Sequence, residues 1–269
     1  MMKNWRNFHL ALTFLTTMPL PSFSAEALSL YRGSMGRAFA WYPLVGLLIG
    51  LLLSGIAGVL AWTPLGVPVQ AGLLLLLWVW VSGGLHLDGV MDSCDALFAP
   101  VGVERRLAIL KDVHAGAFGV IGLFFVLGLK WALLADLLER SAVWPALLLA
   151  PVWGRWMLVW AAQRYPYARV NARTNGSLGS AMTDGLSRRE LGIATACAIL
   201  MQAGVGIGVG MPVYFLALLA PFIGLFLARW LAGRLGGGLT GDLYGFLCEM
   251  IELLVLILLA LSSGVNPLA

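Results

Sequence analysis

Seven stretches of close to twenty mostly apolar residues run through this chain, and they leave it few ways to fold. They cover residues 38–62, 67–85, 117–138, 142–162, 191–209, 212–232 and 244–261. A bilayer's hydrocarbon core is about 30 Å thick and takes about 20 apolar helical residues to cross. Inside it every backbone N–H and C=O must be satisfied within the segment, which a helix does and an open loop does not. The spacing therefore predicts an all-α fold, a polytopic transmembrane helical bundle of about seven spans. Composition agrees: 60% of the residues are hydrophobic and 11% charged, against about 25% charged in soluble domains. No long linker or charge block divides the chain, so residues 1–269 read as a single integral membrane domain.

The net charge of +4 and the pI of 9.2 resemble those of a nucleic-acid binder, but the placement of the charges gives another account. Lys3, Arg6, Arg32 and Arg37 precede the first span; Arg105, Arg106 and Lys111 follow the second; Arg164, Arg169, Arg173, Arg188 and Arg189 follow the fourth; Arg229 and Arg234 end the sixth. The intervening connections carry almost none. Lys and Arg concentrate on the cytoplasmic side of membrane proteins. The alternation predicts a cytoplasmic N-terminus, an external C-terminus, a lipid-bilayer environment and no nucleic-acid partner.

Residues 1–37 have the outline of a signal peptide, with Lys3 and Arg6 ahead of a short apolar run. His9, Thr13, Thr16 and Thr17 interrupt that run, and Pro19 and Pro21 sit where cleavage would fall. An amphipathic or re-entrant segment on the cytoplasmic side is the better expectation. Cys94, Cys197 and Cys248 have no metal-type spacing and read as small packing residues.

Charged side chains are expensive in this setting. An Asp at the centre of a span costs about 2.5–3.5 kcal/mol, so intramembrane acids are functional candidates. Asp88, Asp92 and Asp95 follow the second apolar run. On a helix Asp92 lies about 40° from Asp88, and Asp95 about 20° to the other side. Three like charges on one face repel and need water, a Lys or Arg, or a divalent cation; carboxylates suit Mg2+. Residues 86–116 read as a cytoplasmic acidic active-site region. Glu249 and Glu252 lie three residues apart in the last span, either functional or ion-paired with Arg155, Arg229 or Arg234.

Three more constellations share that face. Lys111, Asp112 and His114 lead into Gly116 and Gly119, a helix start whose free N–H groups suit an anion. Arg164, Tyr165, Tyr167 and Arg169 suit a phosphate-bearing ligand with a planar ring, and equally a membrane-interface belt. The run from Gly236 to Gly238, followed by Leu239, Thr240, Gly241 and Asp242, is a close-approach loop ending in a carboxylate. Acids, bases and glycine loops at one mouth are the inventory of metal-assisted phosphoryl transfer.

These residues resemble the adenosylcobinamide-GDP ribazoletransferase, or cobalamin synthase, family. The likeness runs through Leu12 to Pro19, Tyr42 to Gly46, Gly84 to Gly89 with Asp92 and Asp95, Lys111 to Gly119, and Gly237 to Asp242 with Glu252. The resemblance implies a Mg2+-dependent bacterial inner-membrane enzyme, multi-pass, with its active site facing the cytoplasm. It joins α-ribazole or α-ribazole 5′-phosphate to adenosylcobinamide-GDP and releases GMP. It implies Asp88, Asp92, Asp95 and Asp242 as metal ligands, with Asp95 third or acting through water. His86 or Asp112 is then the base, with Asp88 also catalytic. Lys111, His114, Arg169, Thr240, Glu249 and Glu252 are expected at the substrates. Cys94 departs from the smaller residue expected there. Oligomeric state stays open.

Two rival readings start from the same residues. A CDP-alcohol phosphotransferase with a lipid acceptor needs Ala-Arg after its Asp-Gly start, and here no Arg follows until Arg105. A secondary transporter would place its acids near the midplane, whereas these gather at one side.

Overall fold

The computed structural model describes residues 2–20, 34–168, 185–208 and 212–263. Among these the chain is helical throughout. An N-terminal helix α1 (Met2–Leu15) precedes a short α2 (Ser34–Ala38), a 3-10 turn (Phe39–Trp41) and α3 (Tyr42–Leu60). Then come α4 (Val67–Val81), α5 (Leu85–Phe98), α6 (Val103–Ile109), α7 (Ala117–Glu139) and α8 (Val143–Arg164). The remainder is α9 (Arg188–Gly208), a 3-10 segment (Pro212–Leu218), α10 (Leu219–Arg234) and α11 (Gly241–Ser263). Six helices are long and apolar enough to cross a membrane, and the pair α4–α5 makes a seventh if it counts as one broken span. The protein is a multi-pass helical membrane protein.

The central post is α8. Its apolar window is 89% buried, yet its mean hydropathy, 1.2, is the lowest of the six. The outlying α7 is 22% buried with mean hydropathy 2.1. A helix wrapped in other helices need not be lipid-soluble, so it can carry Arg155 and Gln163. Helices α3, α9 and α11 pack against it. The α3 contact is close because Gly46 and Gly50 face it: a Cβ at Gly46 would sit 2.4 Å from the Pro151 oxygen, and one at Gly50 2.5 Å from that of Leu147. Small residues four apart let helix backbones touch where no hydrophobic force drives them together.

The second apolar run is not the continuous span 67–85 expected from hydropathy. Helix α4 ends at Val81, and α5 leaves it at 91°. Fifteen residues rise only about 22 Å, short of the hydrocarbon thickness. The break is set by Gly83 and Gly84, both left-handed (φ +65° and +66°), a conformation that costs other L-residues about 1–2 kcal/mol. The Gly84 N–H donates back to the Val79 carbonyl, 3.1 Å. The carbonyls of Trp80 and Val81 receive a partner from far away: Thr17 donates its hydroxyl to Trp80 (2.8 Å) and its N–H to Val81 (2.8 Å). Expected N-terminal segment 1–37 thus contains a helix whose Leu10, Ala11 and Leu15 are buried in the core and whose following turn caps the bend.

Candidate active site

The bend turns the acid-bearing segment into its own helix, α5, laid against α7 and α11. Its crossing with α11 is glycine on glycine. A Cβ at Gly89 would fall 2.4 Å from the Asp242 carbonyl oxygen, and one at Gly245 3.1 Å from the His86 Cα. That contact brings Asp88, next to Gly89, and Asp242, at the start of α11, to one cavity of about 320 Å³. His86 and Tyr244 line it from the same two helices, and Phe14, Phe39 and Tyr42 line it as well. Asp88 is exposed and Asp242 half-buried.

Asp242 is held from behind. The buried Thr240 donates its hydroxyl to Asp242 Oδ2, 3.1 Å. The loop ahead of it turns at Gly236 and Gly237, both with positive φ. It then pairs with the chain after α8: Leu239 N–H donates to the Pro166 carbonyl (3.0 Å), and Ala168 N–H to the Leu239 carbonyl (2.9 Å). The pairing explains Gly238, where a Cβ would meet the Pro166 oxygen at 2.7 Å. Thr240, expected at the substrate, orients an acid. Arg169, expected at a phosphate, falls outside the described residues.

Asp95 has a different task from the metal ligation expected of it. Its two oxygens accept the Gly116 and Gly119 N–H groups, each at 2.8 Å. A carboxylate on the free N–H groups of α7 also meets the positive end of that helix. A Cβ at Gly119 would lie 2.4 Å from Asp95 Oδ2. The helix start read as an anion site is therefore filled by the protein's own anion. Asp92 sits between the two roles, half-buried one turn beyond Asp88. Cys94 is buried over Gly122, where an added Cβ would touch its Sγ at 2.4 Å. The missing side chain on α7 makes room for the larger residue on α5.

Lys111, Asp112 and His114 stand on an exposed loop outside the cavity wall. Asp112 Oδ1 meets His114 Nδ1 at 2.7 Å and accepts the His114 N–H at 3.1 Å. The imidazole beside it, foremost, holds the Asp112 carboxyl below the usual range. Of the two candidate bases only His86 reaches the cavity. It is 3% exposed, and its Nδ1 has no hydrogen-bond partner among the described residues, as is true of the Tyr244 hydroxyl.

Glu249 and Glu252, expected at the substrate, are instead committed to a buried ion network. Lys130 of α7 reaches Glu249 at 2.6 Å and also pairs with Glu252. Arg155 of α8 pairs with Glu252. None of the four is more than 4% exposed. Trp78 lies under the ammonium, 4.6 Å from ring centroid to Nζ. Two acids and two bases balance, which is what a low-dielectric interior demands. The network lies one turn along from the cavity: Glu249 follows Gly245 on α11, and Arg155 precedes Leu158 on α8, both cavity residues. Arg155 was foreseen as a partner for Glu252. Lys130 was not, although a lone Lys inside an apolar span carries its own signal.

The donor set decides what ion would fit. Among the described residues no three His, Cys, Asp or Glu side chains are grouped to cage a metal. Two carboxylates from different helices share the cavity, both hard oxygen donors. Mg2+ keeps its waters and takes one or two carboxylates plus substrate phosphates, so Asp88 and Asp242 fit it.

Residues 7–260 match the family model described as cobalamin-5-phosphate synthase. The chain is 41% identical over 204 residues to the adenosylcobinamide-GDP ribazoletransferase of Pseudomonas savastanoi pv. phaseolicola, covering 73% of this chain and 78% of that one. It is 38% identical over 170 residues to the Synechococcus elongatus protein of the same name, 63% of each chain, and 41% identical over 167 residues to that of Deinococcus radiodurans, 62% of this chain and 58% of that one. No solved structure matches. With a match spanning nearly the whole helical bundle and both loops that meet at the cavity, the chain belongs to the cobalamin-5-phosphate synthase family.

Proposed function

We propose that this protein joins α-ribazole or its 5′-phosphate to adenosylcobinamide-GDP, releasing GMP; its relatives are named for ribazole transfer with adenosylcobinamide-GDP. Family membership makes it a transferase of cobalamin synthesis. The observation that carries the reading is the meeting of Asp88 and Asp242, from separate helices, at one cavity that also holds the unpartnered nitrogen of His86.

A sugar hydroxyl of the acceptor attacks the phosphorus that bears the corrinoid. A new O–P bond forms, the bond to the GMP phosphate breaks, and GMP carries away the electron pair. His86 takes the hydroxyl proton: its side chain is buried at the cavity, and Nδ1 has no hydrogen-bond partner among the described residues. Bound Mg2+ supplies charge neutralisation on the diphosphate; Asp88 and Asp242 would hold it. Thr240 keeps the Asp242 carboxylate turned inward. Asp92 completes the acidic face, and Lys111 and His114, on the exposed loop before α7, are the basic groups that contact the phosphates of the nucleotide from solvent. The mouth faces the cytoplasm from a bacterial inner membrane, an orientation that the placement of Lys and Arg supports.

The test is GMP release by purified protein in detergent. Wild type with adenosylcobinamide-GDP and α-ribazole should release GMP in proportion to corrinoid product. The Asp88→Asn variant should lose at least about a hundredfold of turnover with unchanged yield and insertion. Undiminished release from that variant removes Asp88 from the site. Release only with a CDP-activated lipid alcohol would move the protein to the rival class.

A further inference from the structure

We propose that the aromatic side of the cavity is the seat of the acceptor's planar base, with Tyr244 and His86 placed for the acceptor's sugar. This rests on the reading just given and goes beyond it by dividing the cavity. Three rings build the wall. Phe39 and Tyr42 stack with centroids 4.4 Å apart and planes 19° apart. Phe14 lies parallel to Tyr42 on 6.4 Å and 16°. They come from three local structures, the end of α1, the 3-10 turn and the start of α3, yet share one plane direction. Asp88, Asp242 and Leu158 line the same cavity.

His86 and Tyr244 both line this cavity. His86 Nδ1 and the Tyr244 hydroxyl are buried, and both are without a protein partner among the described residues. A buried polar group left unpaired costs about 1–3 kcal/mol, so a pair of them at one cavity points to a ligand that supplies hydroxyls there. A ribose does. Its base would then lie toward the rings, where a flat heteroaromatic gains by offset stacking.

Two bases of the reaction are flat and bicyclic, the benzimidazole of the acceptor and the guanine of the leaving nucleotide. The lining favours the first. Phe14, Phe39 and Leu158 offer no hydrogen bonds and Tyr42 a single hydroxyl, so guanine would bury most of its edge of donors and acceptors unpaired. The outer edge of a benzimidazole is hydrocarbon and loses nothing.

The experiment separates the two. Steady-state KM for each substrate, and direct binding of α-ribazole in the absence of corrinoid, are measured for Phe39→Leu, Phe14→Leu and Tyr244→Phe. The aromatic variants should raise the α-ribazole KM and Kd about tenfold and leave the KM of adenosylcobinamide-GDP within about twofold. Phe39→Tyr, which keeps the ring, should restore wild-type values. A raised KM for the GDP-bearing substrate alone would seat guanine here and overturn the proposal. So would unchanged constants for both in Phe14→Leu, whose half-exposed ring can be removed with less disturbance than Phe39. If wild type makes no corrinoid product from α-ribazole at all, the proposed function fails. If wild type makes it and the ring variants do not alter α-ribazole binding, only the subsite fails.

Discussion

Three carboxylates spaced on one helical face divide their labour. Asp88 faces the cavity, Asp92 is intermediate, and Asp95 turns away to hold α7. Their spacing was legible in the sequence; their separate partners were not, because a periodicity argument places side chains on a face without saying which N–H groups arrive there. The same holds for His86 and Asp112, equivalent as bases on paper. Asp112 is exposed and already bonded to His114, so Asp112→Asn should leave turnover within about twofold and keep the acidic limb of the pH–rate profile that His86 imposes. A lost or shifted limb in that variant would make Asp112 the base. The Asp112 carboxyl is depressed by His114, so whatever the contact adds to stability is present above its unfolded pKa of about 4. It disappears only as pH falls through the still lower folded value. Neutral-pH assays do not sample it.

Helices in this protein are positioned by what they lack as much as by what they carry. Gly46 and Gly50 let α3 touch α8, and Gly89 and Gly245 let α5 cross α11. The sequence showed frequent glycines in the spans and the general reason for them, but not the pairing, which depends on which helices are neighbours. Charge is placed by the same logic. Lys130, Arg155, Glu249 and Glu252 tie α7, α8 and α11 together beneath the cavity. Lys130→Met would leave two buried carboxylates facing one Arg155, at a cost of about 3–5 kcal/mol. The melting temperature in detergent should fall accordingly. The double variant Lys130→Met with Glu249→Gln should recover part of the loss, because the net charge of the cluster returns to zero. Additive losses in the double variant would show that the four do not act as a unit.

The whole molecule was read from hydropathy as seven crossings, and six stand as unbroken helices. The exception is the stretch that matters most. Window-averaged hydropathy runs smoothly through Gly83 and Gly84, and no average detects two left-handed residues. Whether α4–α5 counts as a crossing sets the parity of the chain. The positive-inside reading of the basic residues corresponds to the case in which it counts. Reporter fusions should then find the chain after Ser263 on the side opposite to the N-terminus, with the 63–66 turn external. Both ends on the same side would make α4 a re-entrant half-helix.

The hydroxyl and N–H of Thr17 close onto carbonyls 63 and 64 positions downstream. During synthesis those carbonyls leave the ribosome after Thr17 does, so Thr17 has neither of them to clasp until α4 has been made. Only then does the angle at which the acidic helix is presented become fixed.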